Sequence, residues 1–247
     1  KLVFGDQAML QNHNVNINGG SEKTKFMISY NFTGQDGILA KTGYERNGIR
    51  AKLNQQLAKG ISVDFNTNLQ STKTDGGGSL GGMLKMSVLQ PATGGVRFTD
   101  QQLIQSDIAE ELQAEDSQYD IYNPIITNDA VTQTKYARLA GVNMGVNIDF
   151  LKDFTFRTAG SYQWTQTRND FWDDGRTRTA QNNKGPYGKR DNSEKFIWQI
   201  VNTLSWKKSF DKHNFNAVLG QETTYEESME LKNTYYEFPE NNFGLND

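Results

Sequence analysis

The sequence predicts an all-β protein whose antiparallel strands run up and down. Two observations carry that expectation. Eight segments place apolar side chains on every second residue: 13–18, 25–33, 45–57, 61–72, 133–149, 154–168, 194–208 and 213–227. Their connections alternate in length. Gly19–Thr24, Ala58–Gly60, Leu151–Asp153 and Ser209–Lys212 are short, whereas Gly34–Tyr44, Lys73–Thr132, Asn169–Ser193 and the segment after Glu227 are longer. A third observation bounds the reading: no apolar run approaches the roughly 20 residues of a membrane helix, while a barrel strand needs only about 9–11.

The first two strands flank a Gly19-Gly20 turn. In 25–33, Phe26, Ile28, Tyr30 and Phe32 share one face, while Met27, Ser29, Asn31 and Thr33 make a mostly polar other face. In 45–57, Arg50, Lys52 and Asn54 are assigned to a polar face. The clearest alternation is in 61–72, where Ile61, Val63, Phe65 and Leu69 oppose Ser62, Asp64, Asn66, Asn68 and Gln70. The long segment 73–132 is expected to contain two short helices, Ser79–Leu89 and one starting near Thr99 or Asp100 that aligns Leu103, Ile104, Ile108 and Leu112. This segment has three basic and nine acidic residues, a local charge of −6 that could face a partner or a calcium ion and whose more ordinary meaning is a solvated helix face. Strand 154–168 carries Phe154, Phe156, Tyr162 and Trp164. Strand 194–208 carries Phe196, Trp198, Ile200, Leu204 and Trp206, with Asn202 the exception. The last strand is weaker, with Phe215, Ala217 and Leu219.

Composition narrows the function classes. The 247 residues are 35% hydrophobic yet 11% aromatic, with 23 Gly, and mean hydropathy is −0.73. Many aromatics in a polar chain fit a two-faced sheet with polar loops. A net charge of −3 offers no basic footprint for nucleic acid. Cys is absent, which removes disulfides and thiolate chemistry from this sequence. KLVFGDQAML has neither the charged start nor the apolar core of a signal peptide, and the abrupt ends suggest a section of a longer protein.

No catalytic constellation, metal site or cofactor is expected. The two histidines, His13 and His213, stand far apart in sequence. Gly76-Gly77-Gly78 lacks the Lys-Ser/Thr ending of a phosphate loop, and Asn31-Phe32-Thr33, a glycosylation sequon, lies inside a strand. The acidic run Asp170–Gly175 lacks the spacing and distal Glu of a calcium loop. The segment 169–193 has another use. Asp170, Phe171, Trp172, Asp173, Asp174, Arg176 and Tyr187 combine aromatic faces with planar hydrogen-bonding groups, which suits a sugar, a peptide or a partner protein. The plainer reading is that these aromatics pack the loop against its neighbours.

Alternation alone fits a soluble sheet packed on a core as well as a membrane barrel. The order of the connections, the strand lengths and the aromatics near strand ends (Tyr30, Phe32, Phe150, Phe154, Tyr162, Trp164, Trp206, Phe210) favour the barrel. The alternative is a soluble or surface-attached carbohydrate-binding β-sandwich that would use Trp172 and Tyr187 as its platform and bury Phe65, Phe156 and Trp198. A glycan-cleaving enzyme would need a convergent carboxylate pair, and the sequence nominates none.

The run NHNVNINGGSEKTKF, followed by SYNFTGQDGIL and TGYERNGIR, resembles the early barrel strands of SusC-like TonB-dependent outer-membrane transporters of Bacteroidetes-type bacteria. Tyr122-Asn123-Pro124-Ile125 with Asn128, and Leu151-Lys152-Asp153-Phe154-Thr155-Phe156-Arg157, resemble later elements in the expected order. The resemblance implies that residues 1–247 are part of one transmembrane β-barrel of roughly 22 strands. The plug domain and the C-terminal strands would lie outside the sequence. It further implies an outer-membrane location and import of an oligosaccharide or peptide. A SusD-like surface lipoprotein would be the partner, and TonB would act through the plug region. Phe26, Ile28, Val63, Phe65, Leu69, Phe156, Trp198 and Leu204 would then face membrane lipid, and Arg50, Lys52, Asn54, Asp64, Asn66 and Asn68 the interior.

Overall fold

The computed structural model describes residues 8–76, 128–182, 185–236 and 238. They form one eight-stranded antiparallel sheet in strict sequence order. The strands are β1 (Leu10–Gly20), β2 (Thr24–Asp36), β3 (Gly43–Ala58), β4 (Ile61–Asp75), β5 (Val131–Phe150), β6 (Phe154–Asp173), β7 (Tyr187–Phe210) and β8 (His213–Tyr235). One helical turn and a half, α1 (Arg178–Asn182), lies between β6 and β7. All eight expected strands are present, and each is longer than its alternation indicated.

The register puts the apolar positions of neighbouring strands side by side. Across β1 to β4, Ile17 pairs with Ile28, Ile28 with Ala51, Tyr30 with Ile49 and Ile49 with Leu69. Farther on, Phe65 pairs with Met144, Val142 with Tyr162, Tyr162 with Trp198 and Trp198 with Tyr225. Pairing partners point to the same side of a sheet and alternate residues to opposite sides. One largely apolar face therefore runs across all eight strands, interrupted by Thr67 on β4 and by the hydrogen-bonded Asn202 and Gln221 on β7 and β8. It holds Phe26, Ile28, Val63, Phe65, Leu69, Phe156, Trp198 and Leu204. The opposite face holds Arg50, Lys52, Asn54, Asp64, Asn66 and Asn68, as the alternation indicated.

No second layer covers the apolar face among the described residues. Ile28, Leu69, Val142, Tyr162 and Ile200 are all exposed, and Phe65, Phe156 and Trp198 are half-exposed. The sandwich required these last three in a dry core between two sheets. A single sheet with its greasy side bare is a section of barrel wall instead.

Aromatic rows bound the apolar face at both ends. At the short-turn end Phe150 stacks on Phe154 and Phe154 leans on Trp206, while Phe210 and Phe215 meet edge to face. At the other end three aromatic tips bond to the next polar residue outward. Tyr30 donates to Asn47 Oδ1 at 2.7 Å, Trp164 Nε1–H to Glu194 Oε1 at 2.5 Å and Tyr225 to Glu227 Oε2 at 2.8 Å. From Phe154 to Trp164 is ~33 Å along the strand, or ~25 Å across a barrel wall tilted by ~40°. That height is the thickness of an outer-membrane apolar band.

The connections at the short-turn end are as tight as expected. Gly60 sits at φ +78, a conformation favoured by glycine, and its carbonyl accepts the Asp149 amide at 2.7 Å. At the long-connection end the segment 169–193 is not a loop throughout. β6 continues to Asp173 and β7 starts at Tyr187, so only 174–186 connects them. Beyond the apolar band both faces are polar, and hydrophobic alternation ceases while backbone pairing does not. The connection 34–44 shrinks to 37–42 for the same reason. The expected helix Ser79–Leu89, the one starting near Thr99 or Asp100, and the Tyr122–Ile125 element lie outside the described residues.

Candidate functional site

Where the long connections meet, the sheet carries its only closely packed core among the described residues. Leu39, from the β2–β3 connection, is buried, as are Ala130 at the end of the β4–β5 connection, Val131 at the start of β5, Ala180 in α1 and Tyr187 at the start of β7. Apolar side chains from three connections thus gather at one end of an otherwise single-layered wall.

An ion chain ties the same connections together. Lys41 Nζ donates to Asp129 Oδ1 at 2.8 Å and to the Asp129 carbonyl at 3.0 Å. Asp129 Oδ2 accepts from Arg176 at 2.8 Å, and Arg176 also pairs with Asp174 at 2.6 Å. The Asp174 amide donates to the Ala130 carbonyl at 3.1 Å. Lys41 and then Arg176 hold the Asp129 carboxyl below the usual carboxylate value, and Asp174 strengthens the charge on Arg176. The three connections are therefore coupled electrostatically as well as by packing.

Asp173 differs from its neighbour. It is fully buried, with Oδ1 accepting the Gly175 amide at 3.1 Å and Oδ2 accepting the Thr177 hydroxyl. Burial pushes its carboxyl above the usual value, opposed by the hydrogen bonds from Thr177 and Gly175. Its role is to turn the chain out of β6, as aspartates do when they bond backbone two residues on. Burial raises the Tyr187 phenol as well, with the Asp173 charge adding to the shift.

The seven candidate residues of 170–187 do not form one platform. Asp173 pairs directly with Tyr187, and Phe171 lies on that same polar face, its ring 5.4 Å from Tyr187. Tyr236 stacks on the other side of Tyr187 at 6.1 Å. Trp172 and Asp170 belong to the opposite face. Trp172 meets the edge of Phe238 at 4.7 Å. Asp170 takes Arg190 Nε at 2.8 Å and lies 3.1 Å from Arg168 Nε, and Arg168 covers the Tyr136 ring. Asp174 and Arg176 sit in the connection itself. The strand period that continues to Asp173 separates Trp172 from Tyr187, and a shared binding platform for these two rings is excluded.

Two members of the ion chain, Lys41 and Asp129, were not among the sequence candidates. They stand 88 residues apart, and no local motif signals either. No cluster of three metal-ligating side chains exists among the described residues. The carboxylates of Asp129, Asp170, Asp173 and Asp174 are each taken by a cation or by hydrogen-bond donors.

The polar face carries a second network near the short-turn end. Arg157 donates to both oxygens of Asp64, at 2.6 and 3.0 Å, and to Asn147 Oδ1 at 2.8 Å. Asn147 in turn reaches Ser62 at 3.3 Å.

No protein-family profile matches the sequence, and no curated protein matches it. Solved structures do match the fold. The RagAB peptide importer in its closed-closed state superposes with a TM-score of 0.67 at 16% identity, covering 96% of this chain and 26% of that one. The ferric citrate transporter FecA gives 0.57 at 11% identity, covering 93% and 28%. BauA, the ferric preacinetobactin receptor of Acinetobacter baumannii, gives 0.52 at 10% identity, covering 96% and 31%. The chain therefore has the fold of an outer-membrane TonB-dependent transporter barrel, and it spans about a quarter of the length of the RagAB chain.

Proposed function

We propose that this chain is a section of the wall of an outer-membrane importer energised through TonB, working with a SusD-like surface lipoprotein on oligosaccharides or peptides. The observation that carries the reading is the bare apolar face. It extends over eight strands with few polar interruptions, is edged by aromatic rows and ~25 Å high, and water would not tolerate so large an exposed patch on a soluble protein. Phe26, Ile28, Val63, Phe65, Leu69, Phe156, Trp198 and Leu204 contact lipid in this reading. The short turns lie in the periplasm and the long connections outside the cell.

In that orientation the packed cluster of Leu39, Ala130, Ala180 and Tyr187 sits at the outer mouth. Phe171 is on its lumen side, where an arriving ligand would meet it, and the buried Tyr187 ring holds Phe171 in place. Asp174 and Arg176 in the connection, with Trp172 on the outward side, are the candidates for contact with the lipoprotein, and the buried Asp170 positions Arg168 and Arg190 beside them. The rest of the barrel and the plug that TonB would displace come from protein beyond this sequence. RagAB is described as a peptide importer, and a peptide is accordingly one of the two ligand classes to test first.

The test uses the full-length protein in membranes. A spin label at position 65 should be reached by oxygen and shielded from a polar relaxant, and a label at position 66 should show the reverse. Low access of both reagents at 65 would put Phe65 in a protein core and end the barrel reading. Uptake of labelled peptides or oligosaccharides should cease when TonB is deleted. Uptake that persists without TonB would refute energised import.

A further inference from the structure

Four cations on the polar face have no ion-pair partner among the described residues. Lys25 on β2 and Arg46, Arg50 and Lys52 on β3 all belong to that face, since Lys25 pairs with Asn54 and residues 46, 50, 52 and 54 alternate in phase. None of the four side chains has a hydrogen bond, ion pair or ring contact among the described residues. Their neighbours across the strands are neutral. Ser29 and Asn68 flank Arg50, Met27 and Asn66 flank Lys52, and Thr33 and Thr72 flank Arg46.

The same face neutralises cations elsewhere. Arg157 is bound by Asp64, Lys195 by Glu226 at 2.6 Å and Lys232 by Glu230 at 2.8 Å. The one acidic residue on this face of β2 to β4 is Asp64, and Arg157 occupies both of its oxygens. The unpaired cations make a stripe from Arg46 to the level of Lys25, a run of ~27 Å at about 3.4 Å per residue. On the inside of a low-dielectric wall, such a stripe focuses potential and concentrates anions.

We infer that this stripe is a binding surface for an acidic peptide in extended conformation, on the inner wall of the importer proposed above. The inference rests on that reading for the word "inner" and deepens it by naming the ligand class. An extended peptide repeats its side chains on one side every ~6.8 Å, which is the spacing of Arg50 and Lys52 along β3. Arginine guanidinium takes a carboxylate with two parallel hydrogen bonds. Asn68, half-buried beside Arg50, supplies a donor and an acceptor for a peptide backbone.

The experiment measures binding of three fluorescent probes to the purified full-length transporter: hexaglutamate, hexaglutamine and trigalacturonate. Hexaglutamate should bind most tightly and should weaken as salt is raised. The variant R46Q/R50Q/K52Q should lose at least tenfold in hexaglutamate affinity with hexaglutamine unchanged. The charge-preserving variant R46K/R50K should keep the salt dependence and lose less hexaglutamate affinity than R46Q/R50Q/K52Q, the loss being the part carried by paired guanidinium hydrogen bonds. Equal loss for all probes would mean that the cations support the wall or another part of the protein, and the proposal would fall. Unchanged hexaglutamate binding, or preference for trigalacturonate, would overturn it too. If a label at position 65 still reports lipid while hexaglutamate does not bind, the ligand class alone is wrong. If that label reports a protein core, the importer and its inner surface fail together.

Discussion

The guanidinium of Arg157 on β6 binds the carboxylate of Asp64 on β4 across the whole width of β5. Gly145 of β5 lies beneath it, and the two strands meet because that residue has no side chain. A Cβ there would come within 2.5 Å of Arg157 Nη2 and 2.9 Å of Asp64 Oδ1. G145A should therefore displace the pair rather than merely stiffen the strand. Both partners are about a third or more exposed, so the pair itself contributes about 1 kcal/mol or less. A double-mutant cycle checks the cause: the destabilisation by G145A should shrink when Arg157 is already alanine. A cost that is undiminished in that background would place the strain in the backbone instead.

Val142 and Asn143 are adjacent on β5 and belong to opposite faces. Val142 lies midway between the aromatic rows, paired with Thr67 and Tyr162. Val142→Arg should cost ~2–4 kcal/mol of folding free energy in a bilayer, the usual penalty for a cation near the midplane. Asn143→Arg, on the polar side, should cost much less. Folding titrations of the full-length protein in lipid vesicles would measure both, and equal costs would contradict the assignment of faces.

The strands were legible because the membrane-height part of each one alternates. Ile61 to Leu69 and Phe196 to Trp206 show the period with few exceptions, and the register joined those stripes as their phases required. The outer ends were not legible. Asn169 to Asp173 and Tyr187 to Ser193 are polar and aromatic on both faces, so pairing continues there without a hydrophobic signature. The candidate site suffered from the same gap. Phe171 and Trp172 read as neighbours in a loop, yet a strand turns them to opposite sides. Lys41 and Asp129 meet only through the fold, and nothing in the residues around either one announces it.

Tyr187 has Asp173 beside it and Phe171 and Tyr236 against its ring. Tyr187→Ala should loosen the outer end by about 3 kcal/mol, in the range of truncating a buried aromatic. Trp172→Ala should instead release Phe238 and leave the Tyr187 stack intact. Amide exchange along β6 and β7 would separate the two. Protection should fall near α1 for the first variant and not for the second. A fall of equal size in both would mean that the two faces are coupled through the end of β8.

Acid should act on the outer end in two opposed stages. Asp173 has its carboxyl raised by burial, so its protonated form favours the folded loop. Its contribution is complete below the ordinary carboxylate value of 3.8 and is lost as pH rises through the raised value. Asp129 is lowered by Lys41 and Arg176, so its contribution is present above 3.8 and lost as pH falls through the depressed value. On acidification from neutral pH the connection 174–182 should first become better protected, as Asp173 takes up a proton without leaving its pocket. Below 3.8 it should lose protection, as Asp129 releases Lys41 and Arg176. Exchange protection of amides 174–182, corrected for the intrinsic pH dependence of exchange, would trace both limbs. Asp173→Asn should abolish the rise and Asp129→Asn the fall. A monotonic loss of protection in the wild type, unchanged by Asp173→Asn, would show that Asp173 is already neutral or that its pocket opens before it titrates.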